Sequence, residues 1–389
     1  MSEKSVRAKR VSNYELFFDL AMVFAIGQLT SAIHLEHVSW LEIFSFIIAN
    51  ITLWVIWINE VFYYEKYGDS RRIDFFSVIA LMFFLGNLAF ELNMDSRFWL
   101  ETTGGASYFN WLLIACYCVI IIQYFLKGRH LGFNRDMKVS MGLLGIYILS
   151  VLPFALGLFT GNILVVGIYF LPLILPRIAN YYLYRGVKSE TNFPHALERS
   201  QLVTILTFGE AVIAIISTYP LSSSLYQGAL LFFAMAALFM FYMAQTFVGI
   251  NHHQEANVTP LFYFHVLIFL GVNSFTVGLE FLADHHHANL GLWFFITGVV
   301  LFFIGTLMTT TYNQSIYLLK RKHYLMFGVG ILLFIIIGFL IGAHILPLSI
   351  HTIIMVTLGS RYYFMIRRHA RERNNIPHPD PKLNLRDFS

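Results

Sequence analysis

The sequence is short of charge. Asp, Glu, Lys and Arg make up only 12% of its 389 residues, while 57% are hydrophobic. A soluble globular chain carries about a quarter charged residues, so water is not the main solvent here. Cysteine is nearly absent. Cys116 and Cys118 stand two apart in one apolar run, where helical geometry points them in different directions and excludes a bridge between them. The chain also lacks a phosphate-cradling glycine loop, a dinucleotide fingerprint and an H-E-x-x-H pair. No Ser/His/Asp context stands above chance, so no catalytic residue and no cofactor are assigned. His252–His253 and Asp284–His287 are adjacent rather than spaced to converge on an ion, and no metal ligand is assigned. No small-residue cleavage site follows the first apolar run, which therefore reads as a retained span.

What is present is length in apolar runs. A helix needs about 20 mostly apolar residues to cross hydrocarbon. The runs are Leu16–Ile33, Trp40–Tyr63, Phe75–Leu92, Tyr108–Leu126, Val139–Phe159, Ile163–Tyr184, Leu202–Tyr219, Leu225–Ile250, Leu261–Leu282, Leu292–Thr311, Tyr324–Leu346 and Leu348–Ile366. The expected fold is all-α, a polytopic transmembrane bundle of about 12 spans. The boundaries at Thr160–Asn162 and Pro347 either separate spans or kink longer ones.

Lys and Arg alternate from loop to loop. They cluster in the N-terminal tail (Lys4, Arg7, Lys9, Arg10), after span two (Lys66, Arg71, Arg72) and after span four (Lys127, Arg129, Arg135, Lys138). They recur after span six (Arg185, Lys188, Arg199), after span ten (Lys320, Arg321, Lys322) and in the C-terminal tail. Cytoplasmic loops carry the Lys/Arg excess, which puts both termini inside. These basic loops set topology and are not a nucleic-acid footprint.

The two halves resemble each other. LMFFLGNLAFEL of span three matches LIFLGVNSFTVGLEFL of span nine, and NYYLYR of span six matches RYYFMIRR of span twelve. AIGQLTSAI of span one aligns with TFGEAVIAI of span seven, setting Gln28 opposite Glu210. This divides the chain into a basic tail (1–13), a first six-span half (14–192), a second (193–366) and a C-terminal tail (367–389). An even number of spans per half gives two parallel six-helix repeats, between which transporters commonly bind substrate.

Ionisable residues within spans default to function, because charge in hydrocarbon is costly. Glu15 and Asp19 share one face at the start of span one, where helix capping is the competing role for Glu15. Glu210 lies about 12 Å into span seven at 1.5 Å per residue, too deep for a short side chain to reach water. Arg177, in the inner half of span six, is the cation assigned to it. Glu198 and Arg199 at the entrance of span seven read either as a capping pair or as part of a site. Glu60, Glu91 and Glu280 are expected at the interfaces. Asn87, Asn273, Gln28 and Gln245 are candidates for hydrogen bonds between helices.

YELFFDLAMVFAIGQLT (Tyr14–Thr30) and HALERSQLVTILTFGEAVIAI (His195–Ile215) head the two halves. Both segments resemble the signatures of the bacterial low temperature requirement A (LtrA) family. The resemblance spans Ser12 to Arg368 and implies a multi-pass protein of the bacterial plasma membrane. It singles out Glu15, Phe18, Asp19, Gln28, Glu198, Arg199, Gly209 and Glu210. Ser200 and Gln201 stand where many members have His-Gly. A shorter stretch, FFDLAMVFAI, is similar to the first-helix motif of a lysosomal and bacterial potassium channel family.

The function expected on these grounds is transport of a small solute or cation, coupled to protons or cations. Its site would comprise Asp19, Gln28, Arg177 and Glu210 near the midplane. A cation channel, a membrane-embedded lipid-handling enzyme and a structural protein needed for growth in the cold are the alternatives.

Overall fold

The first helix starts where a side chain can close its first turn. Ser12 Oγ accepts the Glu15 backbone N–H, and Glu15 Oε1 accepts that of Ser12 at 3.0 Å, a reciprocal cap for two otherwise unpaired donors. Ser39 and Glu42 repeat the arrangement at the second helix.

The computed structural model describes residues 9–69, 71–95, 105–157 and 191–377. Its helices are α1 (Asn13–Ala32), α2 (Trp40–Tyr67), α3 (Arg72–Phe90), α4 (Gly105–Leu131), α5 (Arg135–Ala155) and α6 (Phe193–Thr218). There follow α7 (Leu221–Met243), a π-helical turn (Ala244–Gly249), α8 (Val258–Phe281), α9 (Ala288–Met308), α10 (Arg321–Ile341) and α11 (Ile345–Arg373). Among the described residues, 10 helices are long and apolar enough to cross a membrane. They are α1 to α10, with α7 continuing to Gly249 and α9 to Tyr312. The expected span Leu348–Ile366 falls within α11, which is helical but not among the ten. The expected span Ile163–Tyr184 and the boundary at Thr160–Asn162 lie outside the described residues. The break expected at Pro347 comes earlier, at Gly342, whose φ of 72° ends α10. Pro347 falls in the first turn of α11, where its missing N–H leaves no helical bond unmade.

The chain forms two compact units, Met1–Ala214 with His252–Gly305, and Ile215–Asn251 with Thr306–Ser389. In the first unit α2 and α8 are the most enclosed helices. Trp54 and Trp57 stack at 4.5 Å, Trp54 packs on Phe269, and Trp57 meets Phe262 edge-on. Tyr14 meets Phe75 and Phe24 meets Phe90, so α1 and α3 run parallel. Where α2 ends, Asp74 accepts the Tyr63 hydroxyl at 2.7 Å, and Lys66 pairs with Asp136 at 2.9 Å. Lys9 donates to the carbonyls of Tyr64 and Gly68. Burial holds its ammonium below the ordinary lysine value, against the pull of Glu15, Asp74 and Glu65.

Helices α8 and α9 meet along glycine. Gly271 and Gly278 on α8 face Gly298 and Gly291 on α9, Gly305 continues the line against Phe264 and Ile268, and a Cβ at Gly278 would stand 2.4 Å from the Phe295 nitrogen. The seven-residue spacing keeps these positions on one seam. Small residues there let backbones approach closely, the usual way apolar helices associate in lipid.

In the second unit α7 packs on α11. The π-helical turn after α7 brings Gln245 to Thr309 and Asn313, at 3.2 and 2.8 Å, and the Tyr363 hydroxyl donates to Gln245 Oε1. Arg367 closes this knot by donating to the Val248 carbonyl at 2.7 Å.

Candidate functional site

The parallel pair α1 and α6 carries a buried charge cluster within the first unit. Contacts along it advance in step: Glu15 with His195 and Arg199, Asp19 with Arg199, and Gly27 with Glu210. Glu15 and Asp19 are four residues apart and share a face, as are His195 and Arg199, so two turns of each helix meet.

Arg199 is 0% exposed, and its guanidinium divides between two carboxylates. Nη1 donates to Glu15 Oε2 and Nη2 to Asp19 Oδ1, both at 2.7 Å. Such charge-assisted bonds from a planar fork are short and directional. Glu15 also keeps its capping bond through Oε1, so the capping role and the ion pair coexist. His195 Nε2 lies 3.0 Å from the same Glu15 oxygen, and Trp57 Nε1 donates to Asp19 Oδ1 at 2.8 Å. The Trp57 ring lies under the guanidinium at 5.7 Å, a favourable face for a desolvated cation. Asp19 Oδ2 and Arg199 Nε have no hydrogen-bond partner among the described residues. Phe18 is fully buried beside the cluster's two acids. Glu198 turns to the surface, so the adjacent E-R residues part company, one outward and one inward.

Glu60, one turn beyond Trp57, is also 0% exposed and feels Arg199 electrostatically. It does not reach an interface as expected. Its Oε1 accepts from Gln123 of α4 at 2.9 Å. One guanidinium thus stands among three buried carboxyls.

Glu210 sits at a different level. It follows Arg199 by 11 residues on α6, roughly 16 Å along the axis. Its carboxylate fills the notch left by the missing side chain of Gly27, where a Cβ would stand 2.7 Å from Oε1. Gln28 is half-buried next to that notch, and Gly209 has nothing within 4 Å of a Cβ position. Glu280 of α8 lies within electrostatic reach of Glu210, and His34 Nε2 approaches Glu280 at 3.4 Å. Asp19 and Glu210 therefore occupy two levels of one seam rather than a single shell. The cation that meets Asp19 is Arg199; Arg177 lies outside the described residues. Trp57, His195 and Gln123 were not singled out by sequence, and Glu60 was placed at an interface. The four-residue step from His195 to Arg199 was the readable signal, since it repeats the step from Glu15 to Asp19.

A helical protein with many membrane-length spans and a buried acid–guanidinium cluster between its first helix and α6 is a polytopic membrane protein. The chain belongs to the LtrA family: the family described as bacterial low temperature requirement A protein matches residues 10–360. Both helices of the cluster fall within that match. No protein of curated function matches the chain.

Proposed function

We propose that the protein is a proton- or cation-coupled transporter of the bacterial plasma membrane, working along the α1–α6 seam. The observation that carries this reading is the placement of acids at two levels of that seam. Asp19 is tied to Arg199 at one level, and Glu210 lies in the Gly27 notch about three turns further on. Carboxylates inside a bilayer mark ion and proton paths more often than they mark packing. Asp19, Gln28 and Glu210 would bind the coupling ion or solute in turn, with Arg177 a further candidate. Arg199 would hold Asp19 until a cation or proton competes for it.

The parallel run of α1 and α6 supports two parallel six-span halves, because the first helix of each half then crosses in one direction. About 12 spans and cytoplasmic termini complete that arrangement. The lipid bilayer is the working environment, and a small solute or cation the cargo.

The test is flux through purified protein in liposomes, with proton and monovalent-cation gradients imposed in turn. Wild type should dissipate one of them, and Glu210→Gln and Asp19→Asn should each slow it at least tenfold. Well-folded wild type that moves no ion would overturn transport. Flux faster than any carrier cycle would assign a channel instead.

A further inference from the structure

The α2–α3–α4 core holds a carboxyl that the seam does not use. Glu60 is fully enclosed, and no cation among the described residues lies in ion-pair contact with it. Gln123 Nε2 donates to Glu60 Oε1 at 2.9 Å and to Ser77 Oγ at 3.0 Å, and Ser77 donates onward to the Ile73 carbonyl at 2.7 Å. Two acceptors are left without partners among the described residues, Glu60 Oε2 and Gln123 Oε1. They belong to side chains already bonded to each other. What the trio lacks is a donor, and buried acceptors left unmet are costly.

We propose that Glu60 is a proton-binding site, with Gln123 and Ser77 built to accommodate both of its states. Uptake of one proton from water forms an O–H bond on the carboxyl and removes its negative charge. A half-turn of the Gln123 amide then presents Oε1 to accept that O–H and carries Nε2 away from Glu60 and Ser77 to the place Oε1 leaves. Ser77 serves either orientation, since a hydroxyl can accept from the amide nitrogen or donate to the amide oxygen. A proton fits better than a metal ion. Hard divalent cations take roughly six or more oxygen ligands, and two free acceptors do not approach that. No group of three or more His, Cys, Asp or Glu among the described residues is arranged for a metal.

The charged and titratable groups facing Glu60 come from several elements. They are Arg199 on α6, Glu15 on α1, Asp74 on α3, and Tyr63 and Tyr64 on its own helix. Arg199 is already committed to Glu15 and Asp19, which leaves the Glu60 charge to the proton. The site is independent of the transport reading, because it needs no movement of cargo.

The experiment is infrared difference spectroscopy of the full-length protein in lipid nanodiscs, stepped in pH in H2O and D2O. The expected wild-type signal is a buried-carboxyl C=O band that grows on acidification and shifts in D2O. It should be lost in Glu60→Gln and kept in Asp19→Asn. In Gln123→Leu, which removes the acceptor, the band should move to higher frequency. A band unchanged by Glu60→Gln would overturn the proposal. If Glu60→Gln does not fold, an unshifted band in Gln123→Leu overturns it equally. Neither readout depends on flux, so the site and the transport reading can fail separately.

Discussion

Replacing Arg199 with Met leaves Glu15 and Asp19 facing each other with no cation between them. Removing one partner of a buried ion pair costs about 3–5 kcal/mol, while replacing the whole set with apolar or neutral groups is often tolerated. Arg199→Met should therefore lower the melting midpoint sharply in detergent. The triple variant Glu15→Gln, Asp19→Asn, Arg199→Met should recover most of it. Gly27→Ala makes a different expectation. The atom its Cβ would meet is the tip of the Glu210 side chain, which can move aside. Melting should change little while flux changes, and a large loss of stability would count against the notch. Outside the spans, the His287 side chain holds the Asp284 carboxyl below its ordinary value, and the His286 backbone N–H adds to this. A depressed folded value stabilises above the unfolded carboxylate value of about 4 and loses that stability as pH falls through the folded value. Asp284→Asn should therefore matter near neutrality and converge with wild type in acid, read as melting midpoint against pH. His287 Nε2 also reaches the Glu36 carbonyl at 3.1 Å, so the loss should loosen the connection after α1. At this scale the sequence identified the acids and missed their neighbours. Arg177 was assigned because it lies within a span, whereas Arg199 stands at a span entrance and shares α6's inward face with His195. Glu60 read as interfacial because nothing in its own helix announces Gln123.

Among elements, the α8–α9 pair is the one whose contact depends on the absence of side chains. Gly298→Leu would drive a branched chain into the Phe275 backbone, 2.4 Å from the Cβ position. Overpacking of this kind costs at least about 1–3 kcal/mol, and cysteine pairs placed across the seam should cross-link less efficiently. Gly142 in α5 has nothing within 4 Å of its Cβ position. Gly142→Ala should be neutral or gain about 0.5–1 kcal/mol, because alanine is the better helix former. The heptad of glycines was not read from the sequence. Nor was the helix it faces, since antiparallel pairing with α9 depends on the turn Leu282–His287. The polar residues expected to join helices also divide. Gln245 does so, through Thr309 and Asn313, whereas Asn87 donates back to the Phe83 carbonyl of its own helix. A mid-span amide declares a need for a partner but does not name it.

For the whole molecule, hydropathy made most spans legible because their length is set by the bilayer rather than by neighbours. The alternating Lys and Arg lead to a further expectation, that tags at both ends of the chain are reached from the cytoplasmic side. Impermeant labelling of tags on intact and opened cells would check it, and opposite sides would remove the even span count. How the helices divide into units was not legible. Residues 193–214 and 252–305, expected in a second half, fall in the first unit with most of α6, all of α8 and most of α9, a matter of packing that the sequence pattern does not encode.

The pairing of α1 with Arg199 also bears on how the chain is made. The guanidinium that neutralises Glu15 and Asp19 lies 184 and 180 residues downstream of them. At roughly 5–20 residues per second, a ribosome needs about 10–35 s to supply it. During that interval the first helix leaves the ribosome with two acids and without the α6 guanidinium that pairs them. The biosynthetic machinery has to shelter it, or let it rest at the membrane surface, until α6 arrives. A chain stopped before α6 should be extracted and degraded, and supplying residues 191–389 in trans should rescue it.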